Sequence, residues 1–195
     1  YDQIRSENPG LIYCSLTGFG HNGPYKDFGG YDFMIQAMGG LMSLTGPKDG
    51  MPFKTGVAIA DLMTGMYALS AILAALHHKN KTGEGQFIDS SQCEAGIFLT
   101  GPTVLDWSAN DRTWTRIGNQ SPYKPAAPHG AYRCLPDKEK GDDSWVAIAC
   151  FDQAEWLAFT EFANLQNLRL DPRFSTLSAR LKHQDALDKL VNEWT

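Results

Sequence analysis

The sequence predicts an α/β fold: a first section built on a parallel sheet, then a linker and a smaller α+β section. Strand-like and helix-like runs alternate over residues 1–112, which is typical of a parallel sheet. Residues 108–132 are polar and proline-rich with little periodicity, which indicates a linker or a long ordered loop. We therefore place part of a large domain at 1–112, and the linker with part of a small domain at 113–195.

The first elements along the chain are a strand, a loop and a short helix. Residues 9–20 begin with a turn signal and continue as an apolar run, which predicts a buried strand that ends in a glycine loop. Residues 19–30 are rich in glycine and proline and predict a loop without regular structure. Residues 31–46 predict a short helix that ends at the Gly39–Gly40 pair.

The most apolar segment is GVAIADLMTGMYALSAILAAL, residues 56–76, and a single carboxylate, Asp61, stands at its head. A helix that is apolar on every side predicts burial over most of its surface. Gly83 follows as a candidate C-cap. The expected interior residues of this helix are the large apolar ones: Leu62, Met63, Met66, Leu69, Ile72, Leu73 and Leu76.

The next segments continue the alternation and then change character. Residues 85–91 predict a strand, and residues 92–107 predict a helix with a break at Gly101–Pro102. Residues 134–151 predict a hairpin arm, in which a charged turn precedes a five-residue apolar strand.

Two amphipathic helices close the chain. Residues 152–165 carry Asp152 with Glu155 three positions later, which is the pattern of a capping box. The last helix is predicted from apolar residues at helical spacing: Leu187, Leu190, Val191 and Trp194.

The composition argues against two classes of partner. The formal net charge is -5, whereas a surface for nucleic acid or for an anionic membrane needs clustered lysine and arginine. We also find no apolar run of membrane-spanning length without an interruption. The sequence therefore predicts neither a nucleic-acid partner nor a membrane partner.

Cysteine and histidine usage indicates a reducing compartment and no metal. The adjacent His77 and His78 would point in different directions on a helix and could not easily share an ion. The cysteines predict free buried thiols, as in the cytoplasm or, in a eukaryote, the mitochondrial matrix. There are four of them, none in a closely spaced pair: Cys14, Cys93, Cys134 and Cys150.

Asp61 has two interpretations that its position alone does not separate. As a helix N-cap, its carboxylate would accept backbone N–H groups that a buried helix start leaves open. As a catalytic group, the same carboxylate would be kept ionised by the helix N-terminus and could act as a nucleophile or a general base. Helix statistics alone favour the cap, so the neighbouring motifs must decide.

The motifs around Asp61 follow an order that resembles one known family. GGYDFMIQAMGGLMSLTG, DGMPFK, GVAIADLMTG, AILAAL and KTGEGQFID are similar to segments of the class III CoA-transferases. That family includes formyl-CoA and carnitine CoA-transferases and the related α-methylacyl-CoA racemases. TGFGHNGPY upstream, and RIGNQSPYKPAAPHGAYRC and DPRF downstream, fit the same order, so the resemblance spans nearly the whole chain.

The resemblance implies an acyl-CoA:carboxylate CoA-transferase that uses CoA thioesters as substrates and holds no permanently bound cofactor. Asp61 would attack an acyl-CoA thioester to give a mixed anhydride, which CoA thiolate then attacks. The GGYD segment would contact the CoA tail near the sulfur through Gly29, Gly30, Tyr31 and Asp32. The family also implies a Rossmann-like large domain and an interlocked homodimer.

Two of these residues have structural alternatives, and one of them separates branches of the family. Tyr31 could be a half-buried packing residue, and Asp32 a helix N-cap. The racemases carry a histidine where Tyr31 stands, and racemisation needs two acid/base groups beside the α-carbon, a task that suits tyrosine poorly at neutral pH. The sequence thus favours the transferase over a racemase, and over a catalytically silent CoA-binding or scaffold protein.

Two features set this chain apart from the family pattern. Formyl-CoA transferases close a glycine-rich loop over the active site, whereas residues 121–130, SPYKPAAPHG, hold one glycine and three prolines. The family's basic contacts to the CoA phosphates would lie upstream of Tyr1. Because the chain begins without methionine and stops inside a helical pattern, we expect a central fragment that is inactive by itself.

Overall fold

The computed structural model describes residues 1–135 and 143–195, which form two compact units, Tyr1–Arg116 and Ile117–Thr195. The predicted α/β class is confirmed, because helices and strands are mixed and the first unit holds a parallel strand pair. The units divide four residues after the boundary expected at 112. Their assignment to a large and a small domain stays a prediction.

The strands of the first unit lie where the sequence predicts them but are less buried than expected. β1 (Tyr13–Thr17) pairs in parallel with β2 (Phe87–Ser91). Tyr13 and Leu16 are exposed, which contradicts the predicted buried strand. The described part of this sheet has two strands, so neither strand has neighbours on both edges.

Six helices accompany this strand pair in the described residues of the first unit. The predicted helix over 31–46 is divided in two, because Gly40 adopts φ +82°, a left-handed conformation that glycine tolerates without strain. The predicted break in 92–107 is confirmed at Thr100. The helices are α1 (Asp2–Arg5), α2 (Asp32–Met38), α3 (Leu41–Leu44), α4 (Ile59–Thr82), α5 (Gln92–Leu99) and α6 (Gly101–Asn110).

The residues that helix α4 buries are small, and most of its large apolar residues are exposed. It packs against α2, α5 and β2, and the predicted C-cap, Gly83, ends it with φ +80°. Small side chains let neighbouring elements approach closely, so they occupy the buried positions: Ala60, Thr64, Ala68 and Ala75. The predicted burial of the large apolar side chains is wrong for most of them. Those that are exposed are Leu62, Met66, Leu69, Leu73 and Leu76.

The length and composition of α4 contradict the expectation that the chain has no apolar run of membrane-spanning length. Its 24 residues are long and apolar enough for a membrane crossing by those two criteria. The core helices of soluble proteins meet the same criteria, so this property does not decide where α4 lies.

The second unit begins with an antiparallel strand pair and continues with helices. His129 lies opposite Ala149, and Arg133 lies opposite Trp145. The predicted apolar strand is confirmed, whereas the predicted charged turn falls on 136–142, outside the described residues. The elements are β3 (His129–Arg133), β4 (Trp145–Ala149), α7 (Gln153–Phe162), a 3-10 helix (Gln166–Arg169), α8 (Leu177–Lys182) and α9 (Gln184–Trp194).

Local sequence signals explain the helices of this unit. The predicted N-cap is confirmed, since Asp152 accepts the Glu155 N–H at 2.9 Å, but Glu155 reaches one residue beyond the N-cap of a standard capping box and accepts the Phe151 N–H at 2.6 Å. The amphipathic α9 buries Leu187 and Val191 as its spacing predicts. The core of the unit consists of Ala127, Tyr132, Cys150, Trp156, Leu168, Phe174, Leu187 and Val191.

A buried arginine fixes the proline-rich segment 121–130 to this core. Arg180 has no exposed surface, and its Nε donates to the Ala127 carbonyl at 2.8 Å. Its Nη1 donates to Gln153 at 2.9 Å, and its guanidinium lies 4.8 Å from the centre of the Trp156 ring. Burial lowers the pKa of Arg180. These contacts hold the end of the proline-rich segment in place.

The cysteines are free thiols, as predicted, but only one of them is buried. Cys150 lies in the core of the second unit, and Cys14, Cys93 and Cys134 are half-buried. Within 1–135 and 143–195, no three histidine, cysteine, aspartate or glutamate side chains group as a metal site would require.

Candidate active site

Three of the predicted site residues line one cavity in the first unit. Asp61, Gly29 and Gly30 face a cavity of about 530 Å³ that lies at the carboxyl end of β1. Lys26 and Gln92, which the sequence analysis missed, line the same cavity. The carboxyl end of a parallel strand is the usual location of ligand sites in α/β folds.

The structure shows that Asp61 is not the N-cap of α4. The helix begins at Ile59 with Ala58 at the N-cap, so Asp61 is the third helical residue. The capping interpretation is therefore wrong, because the helix starts earlier than the sequence suggested. The side chain of Asp61 is also exposed in this chain, whereas a position shielded from water was expected.

The carboxylate that caps α4 belongs to Asp32 on α2. Its Oδ1 accepts the N–H of Ala60 at 2.8 Å and the N–H of Asp61 at 3.4 Å. Asp32 was predicted as a possible cap of its own helix, but Tyr31 holds that position without a side-chain bond. Asp32 therefore satisfies open N–H groups of a different helix, the one that carries Asp61.

A buried amide holds Asp32 in this position. Gln36 has 1% exposure, and its Nε2 donates to Oδ2 of Asp32 at 2.5 Å. Its Oε1 accepts the N–H of Thr55 at 2.9 Å and the Thr55 hydroxyl at 3.2 Å. Both oxygens of the Asp32 carboxylate are thus engaged within the protein, and its predicted contact with CoA stays a prediction.

Gln92 contacts the Asp61 carboxylate directly. It is the first residue of α5, immediately after β2, and its Nε2 donates a hydrogen bond to Oδ1 of Asp61. The sequence offered one signal for it, a polar side chain that directly follows a strand. That signal did not indicate a partner 31 positions away.

Gly30 permits a close approach of two backbone segments. A Cβ built on Gly18, just after β1, would lie 2.6 Å from Cα of Gly30, and a Cβ on Gly30 would collide with Gly18 in turn. A Cβ on Gly29 would meet no atom within 4 Å. Gly30 is therefore required by packing, and the predicted role of both glycines in binding CoA stays a prediction.

Tyr31 does not line the cavity and is 75% exposed, so the alternative of a half-buried packing residue is wrong. Its predicted contact with CoA is untested.

Two charged side chains, Lys26 and Asp27, line the cavity from the loop that precedes Tyr31. The sequence identified this loop by its glycines and did not indicate its charges.

A nearby polar cluster orients the loop after β1. The Ser15 hydroxyl lies 2.7 Å from Nε2 of His21, and Asp89 accepts the backbone N–H of His21 at 2.8 Å. In a hydrolytic triad the carboxylate would instead hold the imidazole ring. Asp89 thus fixes the loop backbone, and this cluster lacks the arrangement of a triad.

The geometry brings one acidic side chain to the wall of a cavity where a ligand could meet it. A carboxylate in the first turn of a helix is stabilised by the helix dipole, and here an amide orients it beside a glycine-walled cavity. The chain belongs to CoA-transferase family III, which it matches over residues 1–195. This confirms the resemblance found in the sequence.

Named relatives and a solved structure agree with this membership. The chain is 36% identical over 195 residues to a succinate–glutarate CoA-transferase of Agrobacterium fabrum, covering 100% of this chain and 46% of the relative. It is 34% identical over 208 residues to a formyl-CoA:oxalate CoA-transferase of Streptomyces avermitilis, covering 100% and 49%. The chain thus spans about half the length of the curated relatives it matches.

A crystal structure of a CaiB/BaiF family protein from Brucella suis has the same fold over the whole chain. The TM-score is 0.90 at 38% sequence identity, covering 100% of this chain and 49% of that protein. The mixed helix and strand architecture, with its parallel strand pair, is therefore that of part of a CaiB/BaiF family protein.

Proposed function

We propose that the protein containing this chain is an acyl-CoA:carboxylate CoA-transferase in which Asp61 is the nucleophile. The observation that carries this proposal is the position of Asp61. It lines the glycine-walled cavity and accepts a hydrogen bond from Gln92, while Asp32 does the capping. A carboxylate without a capping role is available for chemistry with a bound ligand.

The proposed reaction moves CoA in two exchanges. An oxygen of Asp61 attacks the thioester carbonyl, and the C–S bond breaks. CoA leaves as the thiolate, and the acyl group stays on Asp61 as a mixed anhydride. The thiolate attacks the aspartyl carbonyl, which releases the donor acid and leaves CoA on Asp61 as a thioester. The acceptor carboxylate attacks that thioester, the Cγ–S bond breaks, and the thiolate leaves a second mixed anhydride. The thiolate then attacks the acceptor's carbonyl in that anhydride, which forms the new CoA thioester and frees Asp61.

The substrates that we propose are a dicarboxylic acid and the CoA thioester of a second acid. Succinate, glutarate and oxalate, which occur in the names of the two relatives above, each carry a second carboxylate. Lys26 lines the cavity that holds Asp61 and could pair with that second carboxylate. The other end of the acid would then meet Asp61.

The proposal retains four further expectations of the sequence. The CoA tail would pass Gly29 and Gly30, with Tyr31 and Asp32 as further contacts, and the large domain would be Rossmann-like. The whole protein would act in the cytoplasm as an interlocked homodimer. The exposed apolar side chains of α4 support additional protein over this face, since water disfavours a contiguous apolar surface.

Trapping of the intermediate on Asp61 tests the proposed function. The full-length protein is incubated with succinyl-CoA and hydroxylamine, digested and analysed by mass spectrometry. Hydroxylamine attacks the activated aspartyl carbonyl and converts Asp61 to its hydroxamate, so we expect an acyl-CoA-dependent mass shift in the peptide GVAIADLMTG. Asp32, Asp49 and Asp89 are internal controls, and equal labelling of all four would contradict the covalent mechanism.

A second measurement separates the transferase from the racemase. A chiral 2-methylacyl-CoA is incubated with the full-length protein in deuterated water, and we expect no exchange of the α-proton. Racemisation must remove and return that proton, so rapid exchange would favour the racemase branch. If hydroxylamine does not label Asp61 and the α-proton does not exchange, the results would favour a catalytically silent CoA-binding protein.

A further inference from the structure

The side chain of Gln92 lines the cavity and also donates a hydrogen bond to the proposed nucleophile, Asp61. Its Nε2 is the described hydrogen-bond donor to Oδ1 of Asp61, and a carboxylate oxygen can only accept, so the amide must present its N–H there. We propose that Gln92 positions the Asp61 carboxylate and stabilises the negative charge that develops on Oδ1 during transfer. This inference rests on the proposed role of Asp61 as the nucleophile.

The local structure holds Gln92 in place before any reaction. The neighbouring Cys93 N–H donates to the Gly18 carbonyl at 2.9 Å, which joins the start of α5 to the end of β1. A Cβ on Gly30 would lie 3.0 Å from Oε1 of Gln92, so the absence of a side chain at Gly30 leaves room for the amide. A donor fixed in this way needs little rearrangement when charge appears beside it.

A second side chain, that of Asp32, holds the Asp61 backbone. Asp32 accepts the N–H groups of Ala60 and Asp61, which fixes the first turn of α4. With Oδ1 bound by Gln92, Oδ2 accepts no hydrogen bond from any residue that the structure describes. The two oxygens are therefore inequivalent, and Oδ2 is the one available to attack a thioester.

Because the two oxygens of Asp61 differ in this way, Gln92 would act in the steps that place negative charge on Oδ1. Attack by Oδ2 makes it the bridging atom of the anhydride, while Oδ1 becomes the carbonyl oxygen of the aspartyl group. When the CoA thiolate attacks Cγ, a C–S bond forms and negative charge moves onto Oδ1, where the amide N–H donates. The Cγ–Oδ2 bond then breaks, and the donor acid leaves with Oδ2. The attack of the acceptor acid on the aspartyl thioester places charge on Oδ1 again.

Two substitutions in the full-length protein test this role. Gln92→Ala removes the amide, and Gln92→Glu keeps its shape but places an acceptor where the donor stood. We expect both to lower kcat about 10²- to 10³-fold, the range for loss of one oxyanion donor, with KM for acyl-CoA within about threefold of wild type. Gln86→Ala, at an exposed glutamine before β2, is the matched control and should keep full activity.

The outcomes distinguish this inference from the proposed function. If Gln92→Glu retains near wild-type kcat while Asp61→Asn is inactive, Gln92 only fills space and the inference is overturned. A loss confined to KM would also overturn it, because the role would then be in binding. If Asp61→Asn remains active, the proposed function itself fails. Should Gln92→Ala not fold, the isosteric Gln92→Glu alone decides.

Discussion

The neighbouring glycines at 29 and 30 offer a paired test of how the cavity wall is built. Gly18 and Gly30 meet backbone to backbone, and a Cβ on Gly18 would lie 2.6 Å from Cα of Gly30. Ordinary contact begins near 3.4 Å, and a Cβ on Gly30 would approach Gly18 more closely than this 2.6 Å, so a methyl group on Gly30 must separate the two segments by at least about 0.8 Å. Overpacking of this kind costs about 1–3 kcal/mol, which is the destabilisation expected for Gly30→Ala.

The same change one residue earlier is the control. A Cβ on Gly29 meets no atom within 4 Å, so Gly29→Ala should be neutral or stabilising by about 0.4–1 kcal/mol, since alanine restricts the unfolded chain. The assay is urea denaturation of the full-length protein, with comparison of midpoints at unchanged slope. Equal midpoints for the two variants would refute the close-packing argument. A loss of activity without a change in the midpoint would instead assign Gly30 to ligand binding.

Three further expectations concern charge, capping and a thiol. Lys26→Met should raise KM for a dicarboxylic acid about two- to fivefold and leave KM for a monocarboxylic acid unchanged, as steady-state kinetics would measure. Asp32→Ala should cost about 1–2 kcal/mol in denaturation experiments because α4 loses its cap, whereas Asp49→Ala, at an exposed loop aspartate, should be neutral. Burial raises the pKa of the Cys150 thiol to about 11, so its alkylation at pH 8.5 should be slow in the folded protein and fast in urea. Rapid alkylation in the folded state would contradict that burial.

The elements set by local chemistry could be predicted from the sequence. The N-cap hydrogen bond between Asp152 and Glu155 involves residues three apart, and the Gly83 cap follows directly on the helix it ends. The break between α5 and α6 falls at Thr100, next to the predicted Gly101–Pro102 pair, and is local in the same way. Each of these signals lies within a few residues of the structure it determines, so pattern and propensity were sufficient.

Features that depend on distant partners could not be predicted. The cap of α4 comes from Asp32, which is 28 positions before Ala60, so the residues beside Asp61 could not indicate where the helix starts or which carboxylate caps it. The hydrogen bond from Gln92 to Asp61 joins α5 to α4, and its two residues lie 31 positions apart in the sequence. Hydrophobic pattern identified the α4 helix but not its buried face, which depends on how closely its neighbours approach.

The charge at the head of this apolar helix is explained by a division of roles between two aspartates. Asp32 uses one oxygen for backbone N–H groups of α4 and the other for Gln36, so both of its carboxylate oxygens take part in holding the fold. Asp61, in the first turn of α4, receives one amide donor on Oδ1, and within residues 1–135 and 143–195 its Oδ2 accepts none. A helix that needed only a cap already has one in Asp32. The second carboxylate is not needed for that cap, and its position in the cavity wall supports the proposed role of Asp61 as the nucleophile.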